Sequence, residues 1–357
     1  MKRLLYLDSL RGIAALIVVL FHLIDPFFSY YSFNLSDSSI NLAKVLTRTL
    51  FNGTDWVSFF FVLSGLSLSL SIIKNGGIIN YKAYFLRRLF RIVPLYFLVL
   101  FVSFFFFNEN VSYFQFFSQL LLVNFKNNLV PQSWSLSVEL IISFILPFLV
   151  LIFLNNKKSI SYFLFVSLLL FNSIGQSQSS ASGFIFHFVL GIILADVLLQ
   201  KKLIDKKIFL IAIPLIFFSF SVRWGLDLFP NIKYYIQVFT DFLNMDYHQL
   251  FFFISAIGSF FIIYIAISSN YIQLILSNKI LIYSGKISFS VYLTHFLLNK
   301  VFYREIVFFI KPVNNVFIES GLSIFIQLTI IFTVSSLTYI LVEKPFINIS
   351  KKFLIKV

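Results

Sequence analysis

The sequence predicts an all-α, polytopic membrane helix bundle of about ten transmembrane helices with both termini cytoplasmic, and three observations predict it. First, 59% of its 357 residues are hydrophobic and only 12% are charged, about half the charged share of a soluble domain. Second, apolar runs recur along the whole chain at the ~20-residue length that a helix needs to cross the hydrocarbon core of a bilayer. Third, the positive charges collect on one side of the layout those runs imply. The 51 phenylalanines exceed what one water-soluble core of this size buries, so lipid is the solvent for much of the chain.

Spans are expected near 8–28, 56–73, 88–107, 135–154, 160–173, 184–199, 208–222, 250–268, 287–310 and 321–342. Segment 111–124 is apolar but short, and is assigned to the outer interface. With both ends inside, the inner segments 1–7, 74–91, 155–159, 200–207, 269–286 and 343–357 hold 19 of the 28 Lys and Arg residues, which is the bias of cytoplasmic loops. Topology thus accounts for the net charge of +14. The expected partner is the lipid bilayer, and no nucleic acid. With no cysteine in the chain, disulfides, thiolate metal sites and a Cys nucleophile are excluded, and no metal is expected. The opening MKRLLYLDSLRGIAALIVVLFH begins like a signal peptide, but Asp8 and Arg11 interrupt it and no small-residue cleavage site follows, so it reads as a retained helix. Residues 1–357 are expected to form a single transmembrane domain with no soluble domain appended.

Ionisable residues inside a membrane are costly, which makes each a functional candidate. Arg11 and His22 lie 11 residues apart, about three turns and ~16 Å along a helix, so both point the same way at different depths. Asp25 follows His22 by three residues on the same face and suits a hydrogen bond to one imidazole nitrogen, leaving the other basic. The competing readings are a snorkelling anchor for Arg11, an interhelical hydrogen bond for His22 and a solvated helix end for Asp25.

Arg88 and Arg91, in YFLRRLFRIVPLYFLVL, share a face at the cytoplasmic start of the third span. Their planar donor forks fit a phosphorylated ligand, and a positive-inside anchor is the bland alternative. In FFFVLSG, Ser64 and Gly65 allow close helix packing and leave a hydroxyl to bond across helices. In PQSWSLSVEL, Glu139 lies about a turn inside the fourth span, at a depth that suits His22. A carboxylate there needs a partner or a job, and helix–helix hydrogen bonding competes with a direct role. GKISFSVYLTHF enters the ninth span with Ser290, Tyr292 and His295 as its polar members, His295 being open to a structural reading as well. Trp134, Arg223, Trp224 and Tyr234 are aromatic or polar residues of the outer side suited to a sugar, although aromatics also crowd any membrane interface. His187 is assigned to the interface.

These motifs, in this order, resemble the acyltransferase-3 family of bacterial integral-membrane O-acyltransferases (O-antigen and exopolysaccharide acetylase-like), without an appended SGNH domain. LDSLRGIAALIVVLFH carries the family's Arg, ten residues, then His. Arg88-Leu89-Phe90-Arg91 matches its Arg-x-x-Arg, and FFFVLSG, WSLSVE and GKISFSVYLTHF are similar to its other signatures. FHFVLGIILA and VEKPF are softer matches. Departures are Leu66 for the usual Phe, Glu139-Leu140-Ile141-Ile142 for Glu-Gln-Phe-Tyr, and Thr294 for Trp. The resemblance covers essentially the whole chain.

The resemblance implies transfer of an acetyl or other acyl group from acyl-CoA, a co-substrate rather than a bound cofactor, to a hydroxyl of a cell-envelope or exported carbohydrate or glycolipid. It also implies a multi-pass location in the bacterial inner membrane. His22, Glu139 and Asp25 are then the catalytic candidates, Arg88, Arg91 and Arg11 the coenzyme-binding ones, and Ser64, Trp134, Tyr292 and His295 the substrate-binding ones. A transporter or flippase of lipid-linked sugar is the rival reading, since intramembrane charges also line transport paths. Succinyl rather than acetyl transfer is the rival within the enzyme reading.

Overall fold

The computed structural model describes residues 4–32, 45–107, 111–122, 129–155, 181–200, 206–242, 247–310 and 316–352. The described residues are helical throughout, joined by short turns: α1 (Leu5–Ser32), α2 (Gly53–Lys74), α3 (Tyr81–Phe107), α4 (Tyr113–Leu120), α5 (Trp134–Asn155), α6 (Ile185–Gln200), α7 (Lys206–Gly225), α8 (Pro230–Phe242), α9 (Tyr247–Ser268), α10 (Asn270–Leu276), α11 (Lys279–Ile310), α12 (Val316–Thr338) and α13 (Lys344–Lys352). A π-helical turn, Tyr339–Glu343, joins the last two.

Among the described residues eight stretches are long and apolar enough to cross a membrane: Leu5–Ile24, Val45–Lys74, Tyr81–Phe107, Pro131–Asn155, Ala181–Gln200, Ile208–Leu228, Tyr247–Ser268 and Ile318–Lys352. Each overlaps one expected span, and all but the first contain it whole. The expected span at 160–173 lies outside the described residues. The one at 287–310 falls in α11, which is not among the eight and carries Ser288, Ser290, Thr294 and His295, all buried. Those polar side chains face protein, so the middle of α11 is enclosed by its neighbours while Ile280, Phe308 and Phe309 near its ends are exposed. Segment 111–124 contains α4, started by a capping box in which Ser112 and Gln115 satisfy each other's backbone N–H groups. α4 leaves Phe114 and Phe117 exposed and buries Phe116.

Helix-on-helix packing positions the site. α1 lies along α11, and α2 along α6. Both crossings are close because glycine removes the intervening side chain: a Cβ on Gly285 would stand 1.9 Å from the Asp8 carbonyl oxygen, and one on Gly191 2.4 Å from the Leu66 nitrogen. α3 begins seven residues earlier than the expected start at 88. Arg88 is therefore about two turns inside the helix rather than at its mouth. Pro94 lies within α3 without ending it, and costs one intrahelical hydrogen bond.

Candidate active site

The polar centre of the bundle is a narrow cavity of about 60 Å³ whose lining includes Arg11, Phe60, Ser64, Arg88, Arg91, Ser135, Glu139, Ser288 and Tyr292. α2, α3, α5 and α11 supply most of these, and α1 supplies Arg11. Glu139 Oε1 accepts a hydrogen bond from Ser64 Oγ at 2.6 Å and forms an ion pair with Arg88 Nη2. Arg88 Nε donates to Ser143 Oγ at 3.2 Å, and Ser143 Oγ donates to the Glu139 carbonyl at 2.5 Å. Tyr84 closes the group by donating to the Ser143 carbonyl at 3.1 Å. Buried charges persist where they are paired and hydrogen-bonded, and this cluster meets both conditions. Arg88 and Glu139, expected in separate roles, are brought together.

Tyr292 forms the wall on the other side. Its hydroxyl lies 2.8 Å from Ser135 Oγ and donates to the Gln132 carbonyl at 3.2 Å. Its ring meets Phe60 at 5.9 Å and His295 at 5.9 Å. His295 in turn stacks on His22, with centroids 5.3 Å apart and planes 28° from parallel, and Phe296 covers His22 at 4.4 Å. His22 is thus not a lining residue of the cavity: it pairs with His295, and Tyr292 stands between that pair and Glu139. The buried His295 places Nδ1 2.6 Å from the Tyr292 carbonyl. That contact fixes Nδ1 as the protonated nitrogen and Nε2 as the acceptor. Nε2 has no hydrogen-bond partner among the described residues. Asp25 lies on α1, but its side chain is outside the described residues.

At its other end the cavity opens toward the basic end of the bundle. Arg11 and Arg91 line it together with an intermediate cavity of about 250 Å³ and a vestibule of about 710 Å³. Arg11 is held at this junction by Asp8 at 3.0 Å and by Ser67 Oγ at 2.5 Å. The vestibule walls come from α1, α2, α3, α11 and α13, with Lys74, Arg87, Lys286, Lys344 and Lys351 among them. Arg11 and His22 share one unbroken helix, which keeps them ~16 Å apart by the rise per residue.

Three expectations are corrected. Trp134 does not reach the cavity: its ring packs among Phe61, Phe184 and Phe252, because its place at the first turn of α5 turns it toward α2 and α9. His187 is not interfacial but fully buried, 3.2 Å from Ser58 Oγ, which also accepts from Ser255 Oγ at 2.8 Å. Arg223 is not available to an outer ligand, since it is buried against Asp55 at 2.8 Å, over the faces of Phe251 and Phe252. Sequence reasoning missed that pair, together with Ser143, Ser135 and Gln132. Asp55, an acidic residue opening an apolar span, was the one readable signal.

Comparison with known proteins gives the following. The acyltransferase-3 profile, described as an acyltransferase domain, matches residues 4–342. Three curated proteins of Staphylococcus aureus, from strains COL, MSSA476 and MRSA252, each bear the name "Putative O-acetyltransferase". Each is 26% identical to the chain over 390 residues, covering 95% of this chain and 56% of the relative. The chain therefore spans about half the length of the curated relatives it matches. No solved structure matches it.

Proposed function

Since the chain belongs to the acyltransferase-3 family of acyltransferase domains, we propose that it is a membrane O-acyltransferase that moves an acetyl or other acyl group from acyl-CoA to a hydroxyl of a cell-envelope carbohydrate. The observation that carries this reading beyond the family is the polar path that three cavities with shared lining residues make into the bundle. It runs from the lysine- and arginine-walled vestibule, past Arg11 and Arg91, to the Ser64–Glu139–Arg88 centre. A donor that is anionic at one end and a neutral thioester at the other fits such a gradient.

On this reading the coenzyme stays at the basic end, which the charge bias places in the cytoplasm, and its acyl arm enters past Arg11. His22 accepts the proton of the acceptor hydroxyl. The hydroxyl oxygen attacks the thioester carbonyl carbon, the C–O bond forms and the C–S bond breaks. The leaving thiolate takes the proton back from His22, so the products are an ester and the free coenzyme thiol. Glu139, committed to Arg88 and Ser64, acts as the anchor that shapes the acyl passage. His295, with its tautomer fixed, holds the His22 ring in place. Tyr292 and Phe60 narrow the route between cavity and histidines, and the acyl group passes when their rings yield.

The test is to incubate purified protein with radiolabelled acetyl-CoA and an envelope glycolipid fraction. Label is expected in the glycan with wild type and not with His22→Ala. A wild-type protein that moves lipid-linked sugar between leaflets while consuming no acyl-CoA would instead be a transporter, and the reading fails.

A further inference from the structure

We propose that the central cavity is a size gate for the acyl group, admitting acetyl and turning back longer or charged groups, with Phe60, Ile92, Leu136 and Phe289 setting the limit. This rests on the acyl-CoA reading above and deepens it by naming the acyl class and the side chains that select it.

Volume carries the first step. The cavity at the inner end of the polar path measures about 60 Å³. For scale, an apolar cavity of about 150 Å³ holds one benzene, which is about 25 Å³ for each carbon. On that scale the central cavity takes about two or three non-hydrogen atoms, the size of an acetyl group. The intermediate cavity and the vestibule, at about 250 and 710 Å³, are several times larger. The limit therefore falls where the acyl group rests and not where the remainder of the donor lies.

The confining walls are apolar and come from four helices: Val57, Phe60 and Phe61 from α2, Ile92 from α3, Leu136 from α5 and Phe289 from α11. Ile92 and Leu136 are fully buried in one cluster with Leu95, Tyr96 and Leu293, and Phe289 packs against it. Phe60 packs against three other clusters at once. Interiors packed in this way do not yield a methylene without cost, so the walls do not widen to suit a longer chain.

Hydrogen bonding closes the gate to a dicarboxylic acyl group. The hydroxyl protons on the lining are spent: Ser64 donates to Glu139, Ser135 and Tyr292 donate to the Gln132 carbonyl, and Ser288 donates to the Gly285 carbonyl. Arg88 is held by Glu139. Arg11 and Arg91 also line the two wider cavities and so stand at the entrance. A succinyl group leads with its free carboxylate, which would leave both arginines behind and lie beside Glu139 with no donor to receive it. A buried carboxylate in that position is costly.

The experiment follows thiol release by the full chain in detergent, with an envelope glycolipid fraction as acceptor and acetyl-, propionyl-, butyryl- or succinyl-CoA as donor, and reads kcat/KM for each. One methylene in an apolar pocket is worth ~10–200-fold in kcat/KM. Wild type is therefore expected to prefer acetyl over propionyl by ~10-fold or more, and over butyryl by ~100-fold or more. Ile92→Val removes one methylene from the wall and should recover most of the propionyl rate. Leu136→Ala removes more and should recover butyryl. Neither should admit succinyl, because the added space brings no donor. Leu100→Ala, a deletion in the same cluster at a residue that does not line the cavity, should leave the ratios as in wild type.

Three results overturn the gate: wild type that uses butyryl-CoA as well as acetyl-CoA, opened variants that keep acetyl transfer at wild-type ratios, or a Leu100→Ala variant that relaxes them equally. Should Leu136→Ala fail to fold, the milder Ile92→Val and the wild-type donor series still decide the matter. If wild type consumes no acyl-CoA of any length, the acyl-CoA reading itself fails, whereas consumption indifferent to length removes the gate alone.

Discussion

Removing both members of the Arg88–Glu139 pair is predicted to cost well under the sum of removing each alone. Arg88→Met leaves Glu139 with Ser64 as its remaining hydrogen-bond donor among these contacts, and strips Ser143 of the Arg88 Nε bond. Glu139→Gln leaves a guanidinium whose side chain is 8% exposed facing a neutral amide. An uncompensated buried charge typically costs about 3–5 kcal/mol, whereas replacing a whole buried pair by neutral groups is often close to neutral. The two single changes should therefore each destabilise by ~3 kcal/mol. The double variant should fall well short of their sum, with a coupling of about 1.5–3 kcal/mol. The assay is reversible denaturant unfolding in detergent micelles, run as a double-mutant cycle. Additive single effects below ~0.5 kcal/mol each would show that the two side chains do not meet, and the account of Arg88 as the partner that holds Glu139 would fall with them.

Other perturbations separate the fold from the chemistry. His22→Ala should lower transfer by ~10²–10⁴-fold, the usual contribution of a general base, with unfolding unchanged within ~1 kcal/mol; residual activity above a tenth of wild type would remove His22 from that role. Gly285→Ala puts a methyl 1.9 Å from the Asp8 carbonyl and should force α1 off α11. That costs about 1–3 kcal/mol or more and reduces transfer through the His22–His295 contact; a stable, fully active variant would refute the close crossing. Asp55→Asn strands the buried Arg223 and should lower stability by ~3–5 kcal/mol in thermal unfolding, while Asp227→Asn, which removes only the half-exposed Lys233 pair, should cost under ~1 kcal/mol.

Much of the fold was legible because lipid imposes a one-dimensional rule: a crossing helix satisfies its own backbone and must be apolar for ~20 residues. The spans around Arg11–His22, Ser64 and Glu139 follow from that rule, and the shared face of Arg11 and His22 follows from helix geometry alone. α11 was harder to bound, because a helix enclosed by protein can carry Ser288, Ser290, Thr294 and His295 without showing an apolar signature. Interhelical partners were not legible. Arg88 meets Glu139 across 51 positions of sequence, and His22 meets His295 from the far end of the chain. Such pairings depend on crossing angles and offsets that residue spacing does not encode. Arg223 and Trp134 were misplaced for the same reason, since an aromatic or cationic residue near a helix end reads alike whether it faces solvent or a neighbouring helix. The vestibule lysines looked like topology anchors, and only their convergence around one cavity set Lys286, Lys344 and Lys351 apart from Lys82 and Lys352.

The most direct test of an acyl donor entering from the basic end is thiol release by oriented proteoliposomes loaded with an envelope glycolipid acceptor, with acetyl-CoA supplied to one face at a time. The account predicts one thiol per ester formed, only when the donor faces the end that carries Lys344 and Lys351, and none with His22→Ala. Equal release from both faces, or ester formation from the opposite face alone, would contradict it.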